Sequence, residues 1–144
     1  MRRGNRVFNI LVIAIAIILF GCSGGGVRVS NNLEQYALEY IYTHDILKSD
    51  EIILAYYDYT ISLNGTQAAI ITNKRLIYHN KQTKTVSFNL DEITKINHYE
   101  KSIEGLFIEV WKGDELMVIN IAPWNYSDIF LNVLQHKTST NDKF

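Results

Sequence analysis

Ala68-Ala69-Ile70-Ile71-Thr72-Asn73-Lys74-Arg75-Leu76-Ile77-Tyr78 is the stretch on which the fold of this chain turns. Two short apolar runs flank four polar residues. Each run is too short for a buried helix, and the spacer is of turn length, so the stretch reads as strand, tight turn, strand. The same grammar extends outward in both directions. Upstream, Ile52 to Ile61 is a candidate strand that ends at Asn64-Gly65, a turn pair, before a second strand over Gln67 to Ile71. Downstream, Leu76 to His79 is followed by a turn over Asn80 to Thr83. A fourth strand then sets Val86, Phe88 and Leu90 against Thr85, Ser87 and Asn89. Asp91-Glu92 makes a break. Strands over Ile93 to Tyr99, Leu106 to Trp111 and Glu115 to Ile121 complete a set of seven, the last two joined by Lys112-Gly113-Asp114.

Helical periodicity occurs on either side of this block. Leu33, Tyr36, Ala37, Tyr40, Ile41, His44 and Leu47 fall on one face of a 3.6-residue helix. Asn31 with Glu34 three residues on has the form of a capping box. After the strands, Pro123 suits the first turn of a helix. Tyr126, Ile129, Phe130, Val133 and Leu134 then repeat at helical spacing. Thr138 to Phe144 reads as a polar tail. Seven antiparallel strands linked by short turns must bury one face each, which two packed sheets or a partly open barrel achieve. The expected fold is therefore mainly β: a seven-stranded, partly open barrel of two packed antiparallel sheets. The C-terminal helix closes it, and an extra helix precedes it.

Seven strands followed by a helix is an order that resembles the pleckstrin-homology (PH) architecture. Ala68 to Tyr78 is similar to the strand–turn–strand signature of bacterial PH-like and GRAM-like domains. In that signature an apolar strand enters a Thr-Asn-Lys-Arg type of turn and leaves as an apolar strand ending in an aromatic. Phe88-Asn89-Leu90-Asp91-Glu92-Ile93-Thr94-Lys95-Ile96 resembles a later family segment, where a strand breaks at an acidic pair and resumes. The likeness spans roughly Asp50 to Lys137 and implies a binding module. It does not imply phosphoinositide recognition. PH domains that bind those lipids carry Lys and Arg between their first two strands, whereas this chain has Ser62-Leu63-Asn64-Gly65-Thr66 there. A fold does not bring its ligand with it.

The amino terminus carries a separate message. Arg2, Arg3 and Arg6 precede an apolar run from Val7 to Phe20, broken only by Asn9. At 14 residues the run falls short of the roughly 20 that span a bilayer. A basic flank, a short apolar core and small residues at its exit describe a signal peptide over residues 1–21. Leu19-Phe20-Gly21-Cys22 resembles the bacterial lipobox, although Phe20 is larger than the residue usual at its position. The resemblance implies cleavage after Gly21 and acyl chains on Cys22 that hold the protein in a membrane. A free cysteine on an uncleaved anchor, or a non-lipid signal cut nearby, are the competing readings. The expected order is a lipidated cysteine and flexible linker over 22–31, a PH-like domain over 32–137 and a tail over 138–144. The destination is the cell envelope outside the cytoplasm. Ser23 resembles outer-membrane-sorted lipoproteins where two membranes exist.

Charge and chemistry narrow the function. Without the three signal arginines the basic count falls from 14 to 11 against 15 acids, a net of −4. Such a domain is not drawn to nucleic acid or to anionic lipid by charge. Cys22 is the only cysteine, so no intramolecular disulfide forms. His44, His79, His98 and His136 have no metal-ligand spacing, and no serine sits in a nucleophile elbow. Neither metal, cofactor nor catalytic activity is expected. Two sets of residues remain. Lys74 and Arg75 are candidates to grip an anionic group, against the plainer reading of a turn lysine and a sheet-edge arginine. Tyr36, Tyr40, Tyr56, Tyr57 and Tyr59 are candidates for partner contact, because tyrosine joins apolar area to a polar tip. The competing reading puts these rings at the helix–sheet boundary inside the domain. The expected function is a membrane-anchored binding module for an envelope protein or peptide. The alternative is a carrier or sensor of an apolar small molecule or lipid.

Overall fold

A computed structural model describes residues 25–141. The expected signal peptide and Cys22 lie outside the described residues. Eight strands form two antiparallel sheets. The first holds β1 (Arg28–Val29), β2 (Ile53–Asp58), β3 (Gln67–Thr72), β4 (Arg75–Asn80) and β5 (Thr85–Asn89), side by side in chain order. The second holds β6 (Lys95–Lys101), β7 (Gly105–Lys112) and β8 (Glu115–Ile121). Two α-helices flank them, α1 (Gln35–Thr43) before β2 and α2 (Ser127–Asn141) after β8.

The near-continuous apolar runs of β2, β3 and β4 have a structural cause: this part of the sheet is covered on both faces. Ala55, Tyr57, Ala69, Ile71 and Leu76 face the second sheet. Tyr56, Ala68, Ile70 and Ile77 face α1, where Ala37 and Ile41 are 1% exposed. A register shift between Ile53 and Ala55 changes which side chains face inward at the start of β2. Each isoleucine buried in this second layer contributes about 1.5–3 kcal/mol. Between the sheets, Ile108, Val110, Ile119 and Ile121 meet Phe130 and Leu134 of α2, all fully buried.

Several expectations are corrected. Among the described residues there are eight strands, and no ladder joins the two sheets into a barrel. The added strand, β1, occupies part of the segment read as linker. It pairs Arg28 with Tyr56 and Val29 with Ala55, while the Val27 N–H donates to the Asn125 carbonyl. The capping box does not form. Asn31 lies in a 3-10 turn, α1 starts after Glu34, and the Glu34 carboxylate accepts from the Arg28 guanidinium at 3.2 Å. Pro123 is not in the first turn of α2. Trp124 and Tyr126 have φ of 61° and 56°, so 123–126 is a tight turn and the helix begins at Ser127. The helix continues to Asn141, so the first residues of the expected polar tail are helical.

Candidate functional site

The Thr72-Asn73-Lys74-Arg75 turn is held by side chains within it. The Thr72 hydroxyl accepts the N–H groups of Lys74 at 3.0 Å and Arg75 at 2.8 Å. The Asn73 amide oxygen accepts the N–H of Ile52 at 2.9 Å. Both basic residues of the turn find acids in the chain itself. Lys74 meets Asp50 at the surface. Arg75 donates twice to Glu51, from Nε at 2.7 Å and Nη2 at 2.6 Å, and also to the Ile46 carbonyl and the Ser87 hydroxyl. The Glu51 side chain is fully buried. Burial opposes its ionisation, but the Arg75 guanidinium, the Lys48 N–H and the Thr72 hydroxyl together outweigh this and hold its carboxyl at about 2. Arg75 thus grips an anionic group, as its chemistry suggests, but that group is Glu51.

The tyrosines separate onto two layers. Tyr36, Tyr40 and Tyr56 belong to the α1 layer, Tyr57 and Tyr59 to the space between the sheets. Tyr56 and Tyr57 are 2% and 6% exposed, and the Ala122 N–H donates to the Tyr57 hydroxyl. Tyr59 stands edge-on to both Tyr57 and Tyr78. Tyr40 stacks on His44 and meets His79 Nε2 through its hydroxyl at 3.2 Å, while His79 Nδ1 meets the Thr85 hydroxyl. Tyr36, Tyr40 and Tyr56 thus lie at the helix–sheet boundary, and Tyr57 and Tyr59 between the two sheets. The β2–β3 loop is tied at both ends to Asp58. Asp58 accepts the N–H groups of Thr60 at 2.7 Å and Gly65 at 2.8 Å, and residues 59–66 include no Lys or Arg.

The second sheet is the part left open. β6 is an edge strand paired only with β7, and five of its seven residues are exposed. Its free side therefore offers unpaired backbone N–H and C=O groups. A shallow groove of about 380 Å³ runs beside it; Ile93, Thr94, Lys95 and Ile96 form one wall and Gln135, Thr138 and Ser139 of α2 the other. Ile93 and Ile96 are the apolar residues of the first wall and pack against the core. The helix hydroxyls already donate to carbonyls of their own helix, Thr138 to Leu134 and Ser139 to Gln135. Opposite residues of antiparallel strands share a face, so Tyr99, Phe107, Trp111, Leu116 and Val118 lie together on the outer side of this sheet. Tyr99 stacks on Phe107 with ring centroids 5.3 Å apart, and Leu116 and Val118 are 45% and 42% exposed. The first sheet has α1 over its outer face; among the described elements none covers this one. The sequence pattern marks the two outer strands but not this face, because only the register reveals which of their side chains look outward.

Two sheets in this order with one closing helix can be compared with known proteins. A profile of the bacterial PH domain family matches residues 47–135. The chain belongs to the bacterial PH domain family. Among solved structures, its PH domain is similar to a DUF1696 family protein with a pleckstrin-homology domain from Shewanella loihica PV-4. The two share 13% identity with a TM-score of 0.53, over 80% of this chain and 99% of that one. At that identity the likeness is one of fold. The comparison with curated proteins gives no match. Two features extend this PH domain at its amino-terminal side, β1 and α1, both outside the matched residues. Among the described residues no cluster of His, Cys, Asp and Glu has the grouping of a metal site.

Proposed function

We propose that this protein is a lipid-anchored module of the cell envelope whose PH domain receives an extended segment of a partner protein along the free edge of β6. PH-like domains serve in general for binding, not catalysis, which agrees with this reading. The observation that carries it is the edge itself: a seven-residue strand open along one side, next to a groove lined by Ile93, Ile96 and polar residues of β6 and α2. Strand addition draws its affinity from backbone hydrogen bonds and its specificity from alternate side chains. A peptide on β6 would place such side chains over Ile93 and Ile96. The carrier alternative finds less support, because the space between the sheets is taken up by Ile108, Ile119, Ile121, Phe130 and Leu134, each 0% exposed.

A photo-crosslinking amino acid tests the edge in the cells that make the protein. At His98 on β6 it is expected to yield adducts with a discrete partner. At Tyr42, exposed on α1, it should not. Ser139→Trp fills the groove from its helical wall and should abolish the His98 adducts. Equal adducts from both positions, or adducts indifferent to Ser139→Trp, would remove the edge from consideration.

The anchor is tested separately. No helix among the described residues is long and apolar enough to cross a membrane. Attachment in this reading comes from acyl chains on Cys22. Protein extracted from membranes should have the mass of residues 22–144 plus those chains, and Cys22→Ser should lack the added mass. An unmodified Cys22 in the native protein would sink the lipid anchor.

A further inference from the structure

We propose that the end of the domain from which the chain runs back toward Cys22 is a bilayer-docking rim, on which Ile61 and Trp124 contact the lipid surface holding the anchor. This inference rests on the lipid-anchored reading above and adds an orientation to it. Single exposed apolar side chains are ordinary on protein surfaces. These two are distinguished by degree and by place. Ile61 is 104% exposed and Trp124 96% exposed, so neither side chain packs on the domain. Ile61, at the tip of the β2–β3 loop, shares the walls of one depression of about 350 Å³ with Gly25, Gly26 and Asn125. Trp124 is the neighbour of Asn125, whose carbonyl accepts the Val27 N–H at 2.9 Å. Gly25 and Gly26 thus lie in the same depression as Ile61 and beside Asn125, the residue that follows Trp124.

Chain length makes the placement consequential. Because Val27 is pinned to Asn125 and Arg28–Val29 is in the sheet, little chain separates the rim from the anchor. Three residues lead from Cys22 to Gly25, which span at most about 11 Å even when extended. A lipidated Cys22 lies at the bilayer surface, so that surface is the nearest large apolar phase available to Ile61 and Trp124. Tryptophan suits it, since an indole combines an apolar body with an N–H that favours the headgroup level. Trp124 also holds φ at 61°, a region unusual for a bulky side chain, while projecting into solvent. Without the tether, two side chains and a net negative domain give no lasting attachment. With it, they fix which way the domain faces instead of letting it tumble.

The full chain, extracted with its lipid and reconstituted into neutral phosphatidylcholine vesicles, tests this. Flotation reports the anchor. Quenching of tryptophan emission by brominated acyl chains reports the rim. The contribution of Trp124 is the difference between wild type and Trp124→Phe, since Trp111 is the only other tryptophan. Brominated vesicles are expected to quench that contribution, and Ile61→Glu should float equally well while losing the quenching. Protein that floats with Trp124 emission unchanged by bromine overturns the rim and leaves the anchor standing. Quenching that survives Ile61→Glu in full overturns the two-point contact. Protein that does not float overturns both the anchor and the rim.

Discussion

Arg75→Leu is expected to destabilise the domain by about 3–5 kcal/mol at neutral pH, the usual cost of removing one partner from a buried ion pair. For a domain of about 100 residues this lowers the melting temperature by more than about 12 °C. The cost is electrostatic, because leucine keeps much of the apolar stem while the fully buried Glu51 carboxylate loses two donors. Dependence on pH identifies the cause. In the wild type, Glu51 is held at about 2 against 4.5 for an ordinary glutamate, which corresponds to about 3 kcal/mol of stability. That stability is complete above about pH 4.5 and is lost as pH falls through about 2. In Arg75→Leu the largest contribution that lowers the Glu51 carboxyl is gone. Burial now acts on Glu51 with much less opposition and favours its protonated form, so the penalty is greatest at neutral pH and shrinks on acidification. Glu51→Leu added to Arg75→Leu should recover part of the loss, since it removes the stranded charge. Chemical denaturation at pH 7 and pH 4 reads all of this. An Arg75→Leu penalty that is equal at both pH values would show that the pair stabilises by packing and not by charge.

The same pair shows how far the sequence could be read. Arg75 stands out in the Thr72–Arg75 turn as a residue made to hold an anion. Its partner is 24 positions upstream, where Glu51 precedes a strand and has no pattern to mark it. Only the antiparallel return of β3 and β4 beside the entry to β2 brings the two together. The tyrosines show a different limit. Tyr56 and Tyr57 are adjacent in sequence and face opposite sides of one sheet, as the two-residue period requires. Both are buried because α1 covers the outer side. The signal was present in the unbroken apolar run from Ile53 to Tyr57, which marks a strand enclosed on both faces, whereas alternating Thr85–Asn89 marks one enclosed on a single face.

Elements fixed by local pattern were legible, and those fixed by tertiary pairing were not. Seven of the strands carry alternation or turn residues at their ends. β1 is two residues long and too short to show a period. It exists because β2 offers an edge and because Val27 is tied to Asn125. The turn over 123–126 was hidden for a related reason. Proline suits a first helical turn, but the chain must reverse from β8 into α2, and Trp124 and Tyr126 take left-handed conformations to do it. The candidate edge at β6 was legible only as a strand. That it stands at the end of a three-stranded sheet follows from the absence of a ladder between β5 and β6, a property of the assembled sheets.

Leu134→Asp should be more damaging still than Arg75→Leu, and it tests how the two sheets are joined. The sheets share no ladder, so side chains and α2 must hold them together. Leu134 is 0% exposed and belongs with Phe130 to the cluster that also takes in Ile108 and Ile121. Truncation to alanine removes apolar contact and leaves a cavity, worth about 2–5 kcal/mol. Aspartate does the same and adds a carboxylate with no basic partner in its apolar surroundings. That charge either costs several kcal/mol more or draws a proton at the expense of a raised pKa. Since small domains have only about 5–15 kcal/mol in total, the aspartate variant should be largely unfolded at pH 7 while Leu134→Ala still melts cooperatively. Acidification should narrow the gap between them, because the neutral acid is cheaper to bury. Circular dichroism melts of the three proteins at pH 7 and pH 5 are sufficient. A Leu134→Asp protein that melts like the wild type would mean that α2 does not close the space between the sheets, and the packing that defines this PH domain would have to be assigned elsewhere.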